Sequence, residues 1–402
     1  MFAHSGCFPH NKPLLYSLYL MNAIHIDTKV YFNKIIYKKH KIIIPKSGKV
    51  WYYYKSCNII NKLKINGGMI MKIFVAWNNA RDTFMSKENL ALLESLGEVT
   101  WYEGDERKID PDKMRDGLEG ADVLLTGWGC CKLDEYVLEK ADKLKLVAYT
   151  AGSVSSIVSD AMYARGIRVV SGNEVFARVV AEGTVAQMMY SLRLFAQCDM
   201  RVCHWKTTLG GYYNESLWEQ RVGIVGYGAI SRNLINILKV FNAKIKLFSR
   251  HMSDEQAAQL GVQKASLEEI FSTCRVISLN TAKSPETHHL VNDELLSLME
   301  QDALLVNTAR GDLIDEEALA KHLLSGHIRA ALDVYAKEPP VDESPLWTVP
   351  ASRLHMMPHM AGPTIDQRPA AARIVMEDIA RFQKGEPLQN EISASRAKTM
   401  TK

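Results

Sequence analysis

From residue 71 onward, short apolar runs alternate with stretches of helical spacing. Met71–Trp77 has the apolar character of a strand. In Lys87–Leu96, residues Leu90, Leu92, Leu93 and Leu96 share one broad face, which predicts a helix. Val99–Tyr102, Ala121–Thr126 and Leu146–Thr150 predict strands, and the last two are apolar on both faces. Doubly buried strands alternating with helices indicate a parallel sheet in an α/β fold. A long helical pattern runs from Phe176 to about Phe195 and gives way to the polar, aromatic loop Gln197–Glu219.

A second series starts at Gln220. Strands are predicted at Arg221–Val225, Lys244–Phe248, Val276–Asn280, Ala303–Asn307, Ala330–Asp333 and Arg353–Met357. Helices are predicted at Asn233–Phe241, Ser266–Cys274, Leu295–Leu298 and Glu316–Ser325. Six strands joined by helices fit a doubly wound sheet. A final helix is expected over Asp366–Lys384, and the tail 385–402 is expected to fray.

The first seventy residues break this pattern. Lys, Ile, Asn and Tyr supply 35 of them, as AT-rich codons would, and apolar residues clump without period. They contain 11 Lys, no Arg and one acid, Asp27. Two glycines, Gly67 and Gly68, precede Met71, and their codons can form a ribosome-binding purine run. Translation is therefore expected to start at Met71, with 1–70 a translated upstream segment that is not part of the fold. A genuine N-terminal extension and a targeting peptide are the competing readings; organelle presequences are rich in Arg and Ser, and this segment has no Arg.

This asymmetry changes the meaning of the charge. With +10 on residues 1–70 and +4 on the whole chain, 71–402 carries −6. A nucleic-acid partner loses its support. No run approaches the ~18 apolar residues of a membrane-spanning helix, so no membrane partner is expected. The seven cysteines have no CxxC spacing and are expected to be free thiols in a reducing compartment, the cytoplasm. No residue pattern suggests a metal.

Between a predicted strand and helix stands Gly226-Tyr227-Gly228-Ala229-Ile230-Ser231. In this context a GxGxxG-like run binds a dinucleotide. Gly226 allows the tight turn. Gly228 lets the pyrophosphate approach the helix N-terminus around Ala229 and Ile230. NAD-preferring sites place an acid at the end of the next strand. Here Ser249 and Arg250 stand there. A hydroxyl and a cation favour a 2′-phosphate, so NADP(H) is expected, with NAD(H) possible.

Three further strands end in Val306-Asn307-Thr308-Ala309-Arg310-Gly311-Asp312, Ala331-Leu332-Asp333-Val334-Tyr335-Ala336-Lys337-Glu338-Pro339 and Met357-Pro358-His359-Met360-Ala361-Gly362. Ligands of open α/β sheets bind at these carboxyl ends, so an Arg, a Glu and a His are expected to converge.

These segments resemble the D-isomer-specific 2-hydroxyacid dehydrogenase family from about Met71 to Lys384. The resemblance implies a Rossmann-type cofactor domain over 173–361. It also implies a smaller flavodoxin-like substrate domain over 71–172, completed by the helix 363–384, with crossings near Gly172-Asn173 and Gly362-Pro363. It implies an enzyme that interconverts a small 2-oxo acid and a D-2-hydroxy acid, expected as a homodimer. Arg310 would bind the substrate's oxygens, His359 would act as general acid and base, and Glu338 would orient it. Asp333 would hold the nicotinamide carboxamide, with Thr281, Thr308 and Ala309 also lining the cofactor. The turn Gly152-Ser153-Val154 would grip the substrate carboxylate through main-chain N–H groups.

The chain departs from the family at Ser231, where Gly is common, in Ser155-Ser156-Ile157-Val158, which lacks a nearby Asp, and at Asn280–Pro285. A cofactor-sensing, corepressor-like protein on the same scaffold is the alternative. A methyltransferase is disfavoured, because it expects an acid where Ser249 stands. The substrate's side chain is not legible, since a pocket methylene is worth only ~1–3 kcal/mol.

Overall fold

The computed structural model describes residues 70–77, 80–104, 107–199 and 214–400. The segment read as upstream of Met71 lies outside the described residues, apart from Ile70, which is exposed. The centre of the Gln197–Glu219 loop also lies outside them.

Two parallel sheets carry the fold. The first contains β1 (Lys72–Ala76), β2 (Glu98–Trp101), β3 (Val123–Thr126), β4 (Leu146–Tyr149) and β5 (Arg168–Ser171), in the order β2-β1-β3-β4-β5. The second contains β6 (Arg221–Val225), β7 (Lys244–Phe248), β8 (Gln263–Lys264), β9 (Val276–Leu279), β10 (Leu304–Asn307), β11 (Arg329–Leu332) and β12 (Leu354–Met356). Its order is β12-β11-β10-β9-β6-β7-β8. The direction of winding therefore reverses between β6 and β9, and the crevice of a doubly wound sheet opens at such a point. Central strands are buried at every residue, as VLLT in β3 and LLVN in β10 illustrate. That burial on both faces is why they read as continuous apolar runs.

Two strands were not expected. β5 holds only Val169 and Val170 as apolar residues, and β8 is two residues long. The helix after the glycine loop starts at Ala229, four residues before its apolar periodicity shows. The long helix spans Asn173–Leu192, and Leu194 turns the chain at φ +54.

The long helix links the two sheets. Its start packs under the first sheet, where a Cβ on Gly172 would lie 2.4 Å from the Thr150 carbonyl oxygen. Further along, Met188 and Leu192 enter the core of the second sheet. The chain returns beside the same helix at Ala361-Gly362. A Cβ on Gly183 would lie 2.5 Å from the Ala361 carbonyl oxygen, so only glycine allows that crossing.

The tail does not fray as expected. Gly385 reverses the chain at φ +70, Glu391 bridges to Val170, and Ile392 donates to the Val169 carbonyl at 2.8 Å. A last helix, Ala394–Thr399, is capped by Ser393, and Ile392 and Ala397 are buried in the core of the first sheet. The anchor is Asp378, which is fully buried. Its carboxylate accepts from the backbone N–H of Gln389 (2.8 Å) and Asn390 (2.9 Å) and from Asn390 Nδ2 (2.9 Å). Arg168 and Glu391 add a bidentate pair at 2.6–2.7 Å. Ending the chain after Gly385 would strip three donors from a buried carboxylate and uncover apolar surface. Each lost partner costs roughly 1–3 kcal/mol. We expect the truncated chain to melt several degrees lower in calorimetry. Equal melting of the two chains would show that the tail carries no stability.

No described helix is long and apolar enough to cross a membrane. Among the described residues, no group of three or more His, Cys, Asp or Glu could hold a metal ion.

Candidate active site

The glycine loop leaves β6 at the reversal point. Gly226 sits at φ +99, and a Cβ there would lie 2.8 Å from Thr281 N and Cα. Gly226 and Thr281 are thus in close contact across the crevice. Gly228 is extended, and a Cβ on it would meet nothing within 4 Å, so open space lies before the helix that begins at Ala229. That helix has no side-chain cap, whereas Ser86, Asp110, Ser253, Asn292 and Asp315 cap theirs. Its first-turn N–H groups, at Ala229 and Ile230, suit an anion. Ser231 is buried and donates its hydroxyl to the Gly226 carbonyl at 2.7 Å, which braces the turn. Nearby, Asn280 keeps its Oδ1 buried without a hydrogen-bond partner. The open groove, the uncapped helix and the orphaned amide fit a dinucleotide.

Ser249 is partly exposed at the end of β7, and Arg250 is exposed. Arg250 shares its field with Glu286. The Ser284 hydroxyl, the Glu286 backbone N–H and the Arg250 charge together hold the Glu286 carboxyl below its usual range.

At the end of β10, Asn307 shapes the turn. Its Nδ2 donates to the Arg310 carbonyl (2.8 Å) and its Oδ1 accepts from Ala309 N–H (3.0 Å). Thr308 is buried, with its hydroxyl 2.8 Å from that of Thr184 on the long helix. Burial pushes the Arg310 guanidinium down from its usual range, and the Glu338 charge opposes this, so the two residues share one field. Gly311 permits the turn to dock: a Cβ there would lie 1.7 Å from the Tyr335 carbonyl carbon.

His359 Nδ1 lies 2.7 Å from Glu338 Oε2. A carboxylate only accepts, so Nδ1 carries the hydrogen and Nε2 is left to exchange protons. Glu338 Oε1 accepts from Tyr335 N–H at 3.2 Å, and Tyr335 donates its hydroxyl to the Met357 carbonyl at 2.9 Å. His359 itself is in the left-handed region at φ +56, an uncommon place for a residue with a side chain. Its N–H bonds the Asp333 carbonyl at 2.9 Å.

Asp333 plays a part the sequence did not reveal. It is 1% exposed, and its two oxygens accept from the N–H groups of Met360 (2.7 Å) and Ala361 (2.8 Å). Burial pushes its carboxyl up, against those two donors. The residue expected to face the cofactor therefore also fastens the loop that carries His359. Asn307, Gly311 and Tyr335 were likewise missed, because no periodicity marks a turn brace.

In the first sheet, Val154 is fully buried and Ser153 is partly exposed, its Oγ 3.0 Å from Ser155 Oγ. Gly152 would bring a Cβ within 3.4 Å of the Phe176 ring.

The described pattern matches known proteins. Residues 185–361 match the model of the D-isomer specific 2-hydroxyacid dehydrogenase NAD binding domain. A glyoxylate reductase from Pyrococcus furiosus is 30% identical over 308 residues, covering 75% of this chain and 90% of that protein. A D-3-phosphoglycerate dehydrogenase from Methanocaldococcus jannaschii is 30% identical over 311 residues, 77% of this chain. The chain spans only 58% of that longer protein. The crystal structure of the TT0316 protein from Thermus thermophilus superposes with a TM-score of 0.64 at 26% identity, over 80% of this chain and all of that one. On this fold, this strand-end arrangement and these matches, the chain belongs to the D-isomer-specific 2-hydroxyacid dehydrogenase family.

Proposed function

We propose that the chain reduces a small 2-oxo acid to the D-2-hydroxy acid, and catalyses the reverse, with NADP(H) preferred over NAD(H). The observation that carries this reading is the 2.7 Å His359–Glu338 pair sharing a field with half-buried Arg310 at adjacent strand ends.

A bound nicotinamide would supply the hydride. The groove at Gly226, Gly228, Ala229 and Ile230 would hold its pyrophosphate, with Thr281, Thr308, Ala309 and Asp333 along its length. Arg310 presents a fixed fork of donors to the carboxylate and carbonyl oxygens of the oxo acid. His359, protonated, gives its Nε2 proton to the carbonyl oxygen as negative charge develops there. Glu338 holds the ring through Nδ1 and stabilises its cationic form. The Gly152–Val154 turn would grip the substrate carboxylate through main-chain N–H groups. In the reverse direction, neutral His359 removes the hydroxyl proton.

The test is a panel of 2-oxo acids with NADPH and NADH, followed at the nicotinamide absorbance. Turnover of at least one acid supports the reading; none with either cofactor would favour a cofactor-sensing protein on this scaffold.

Ser249 and Arg250 support the preference for a phosphorylated cofactor, although the phosphate must compete with Glu286 for the Arg250 charge. Replacing Ser249→Asp with Arg250→Ile adds an acceptor for the ribose hydroxyls and removes the cation. A hydrogen bond to a charged group contributes ~1.5–3 kcal/mol, so the kcat/KM ratio should move about 10- to 100-fold toward NADH. A parent chain that already favours NADH would refute the preference.

A further inference from the structure

Cys130 and Cys131 lie outside the machinery described above. They follow β3 through Gly127-Trp128-Gly129, in a loop held in place by its own hydrogen bonds. Gly129 turns at φ +84, Cys130 N–H returns to the Gly127 carbonyl at 3.2 Å, and Ile109 N–H donates to the Gly129 carbonyl at 2.8 Å. Both cysteines are free thiols and partly exposed. The Cys130 thiol donates to the Cys131 carbonyl at 3.3 Å. Its contact with the Cys131 thiol raises Cys130 well above the usual thiol range and lowers Cys131. Cys131 is thus the readier nucleophile, with a second thiol beside it.

The pair also packs against the core that carries the Gly152–Val154 turn. Both cysteines pack against the cluster that contains Ala151, Val154 and Ile157. Just beyond them, Leu133 N–H donates to the Ile157 carbonyl at 2.8 Å, and Ser159 Oγ donates to the Leu133 carbonyl at 2.6 Å. A group closing a ring over the two sulfurs would bear on the backbone after Val154.

The donor set decides the ligand class. Zinc asks for four ligands. Among the described residues no third His, Cys, Asp or Glu joins the two thiols in a group that could hold a metal ion, so the pair suits a soft centre that takes two sulfurs. We propose that Cys130–Cys131 is a dithiol site for monosubstituted trivalent arsenicals, and that filling it weakens the hold of the Gly152–Val154 turn on the oxo acid. The second half rests on the oxo-acid reading; the first does not. With phenylarsine oxide, two S–H bonds break and two As–S bonds form. The arsenic-bound oxygen leaves as water with both protons, and arsenic stays trivalent.

The full chain would be treated with one equivalent of phenylarsine oxide and its intact mass recorded. One adduct is expected, stable to excess 2-mercaptoethanol and removed by 2,3-dimercaptopropanol. Cys130→Ser and Cys131→Ser should each lose that stable adduct, while Cys198→Ser and Cys203→Ser keep it. If Cys130→Ser does not fold, Cys131→Ser tested alone decides. An adduct that maps elsewhere, or that a monothiol strips, overturns the site. On an oxo acid that the untreated chain turns over, the adduct should raise KM for the acid about fivefold, with kcat and the cofactor KM nearly unchanged. An unchanged KM overturns the coupling. Absence of any turnover would instead count against the oxo-acid reading, and the mass result would still decide the dithiol site.

Discussion

His359→Ala is expected to lower kcat for the best oxo acid by roughly 10²- to 10⁴-fold, the range of a positioned general acid. Affinity for the nicotinamide cofactor should stay within about twofold, because the lost interaction matters mainly as the alkoxide forms. Glu338→Gln should be milder, because the glutamine oxygen can still accept from Nδ1. Steady-state kinetics of both variants would decide it. A His359→Ala chain with near-parental kcat would remove His359 from the chemistry.

These residues were legible because each ends a strand of one sheet, and strand ends converge at the ligand side of an open α/β fold. Doubly buried strands such as VLLT and LLVN were legible because burial on both faces selects apolar residues up to the last position, where Thr126 and Asn307 stand. The glycine loop was readable because only glycine tolerates the approach of Gly226 to Thr281.

Signals failed where a contact is made by one polar atom or by few apolar ones. β5 offers two valines between Arg168 and Ser171, too short a run to show a period. The tail is held by Asp378, eleven and twelve residues before its partners Gln389 and Asn390, and by single apolar anchors at Ile392 and Ala397. A buried carboxylate on a helix looks in sequence like any surface acid. The long helix lost its expected last turn at Leu194, whose positive φ no apolar pattern reports.

Asp333→Ala is expected to damage the apo protein as well as the reaction. The carboxylate is the acceptor for two backbone N–H groups, at Met360 and Ala361. Removing it orphans both, at roughly 1–3 kcal/mol each. Those bonds flank His359, whose left-handed backbone persists only while its surroundings over-determine it, at a cost of order 1–3 kcal/mol. Once the bonds are gone the loop can relax, and Nδ1 leaves Glu338. The melting temperature without cofactor should therefore fall, and kcat should drop about 10²-fold, through the position of His359. Asp333→Asn should do nearly as badly. Its Oδ1 can accept one N–H, but its Nδ2 turns a donor toward the other. A role confined to the nicotinamide carboxamide gives a different outcome: an unchanged apo melting temperature, with the loss appearing in the cofactor KM. Calorimetry of the apo variants separates the two. A parental apo melting temperature for Asp333→Ala would mean that the loop holds its own shape and that the carboxylate serves the cofactor alone.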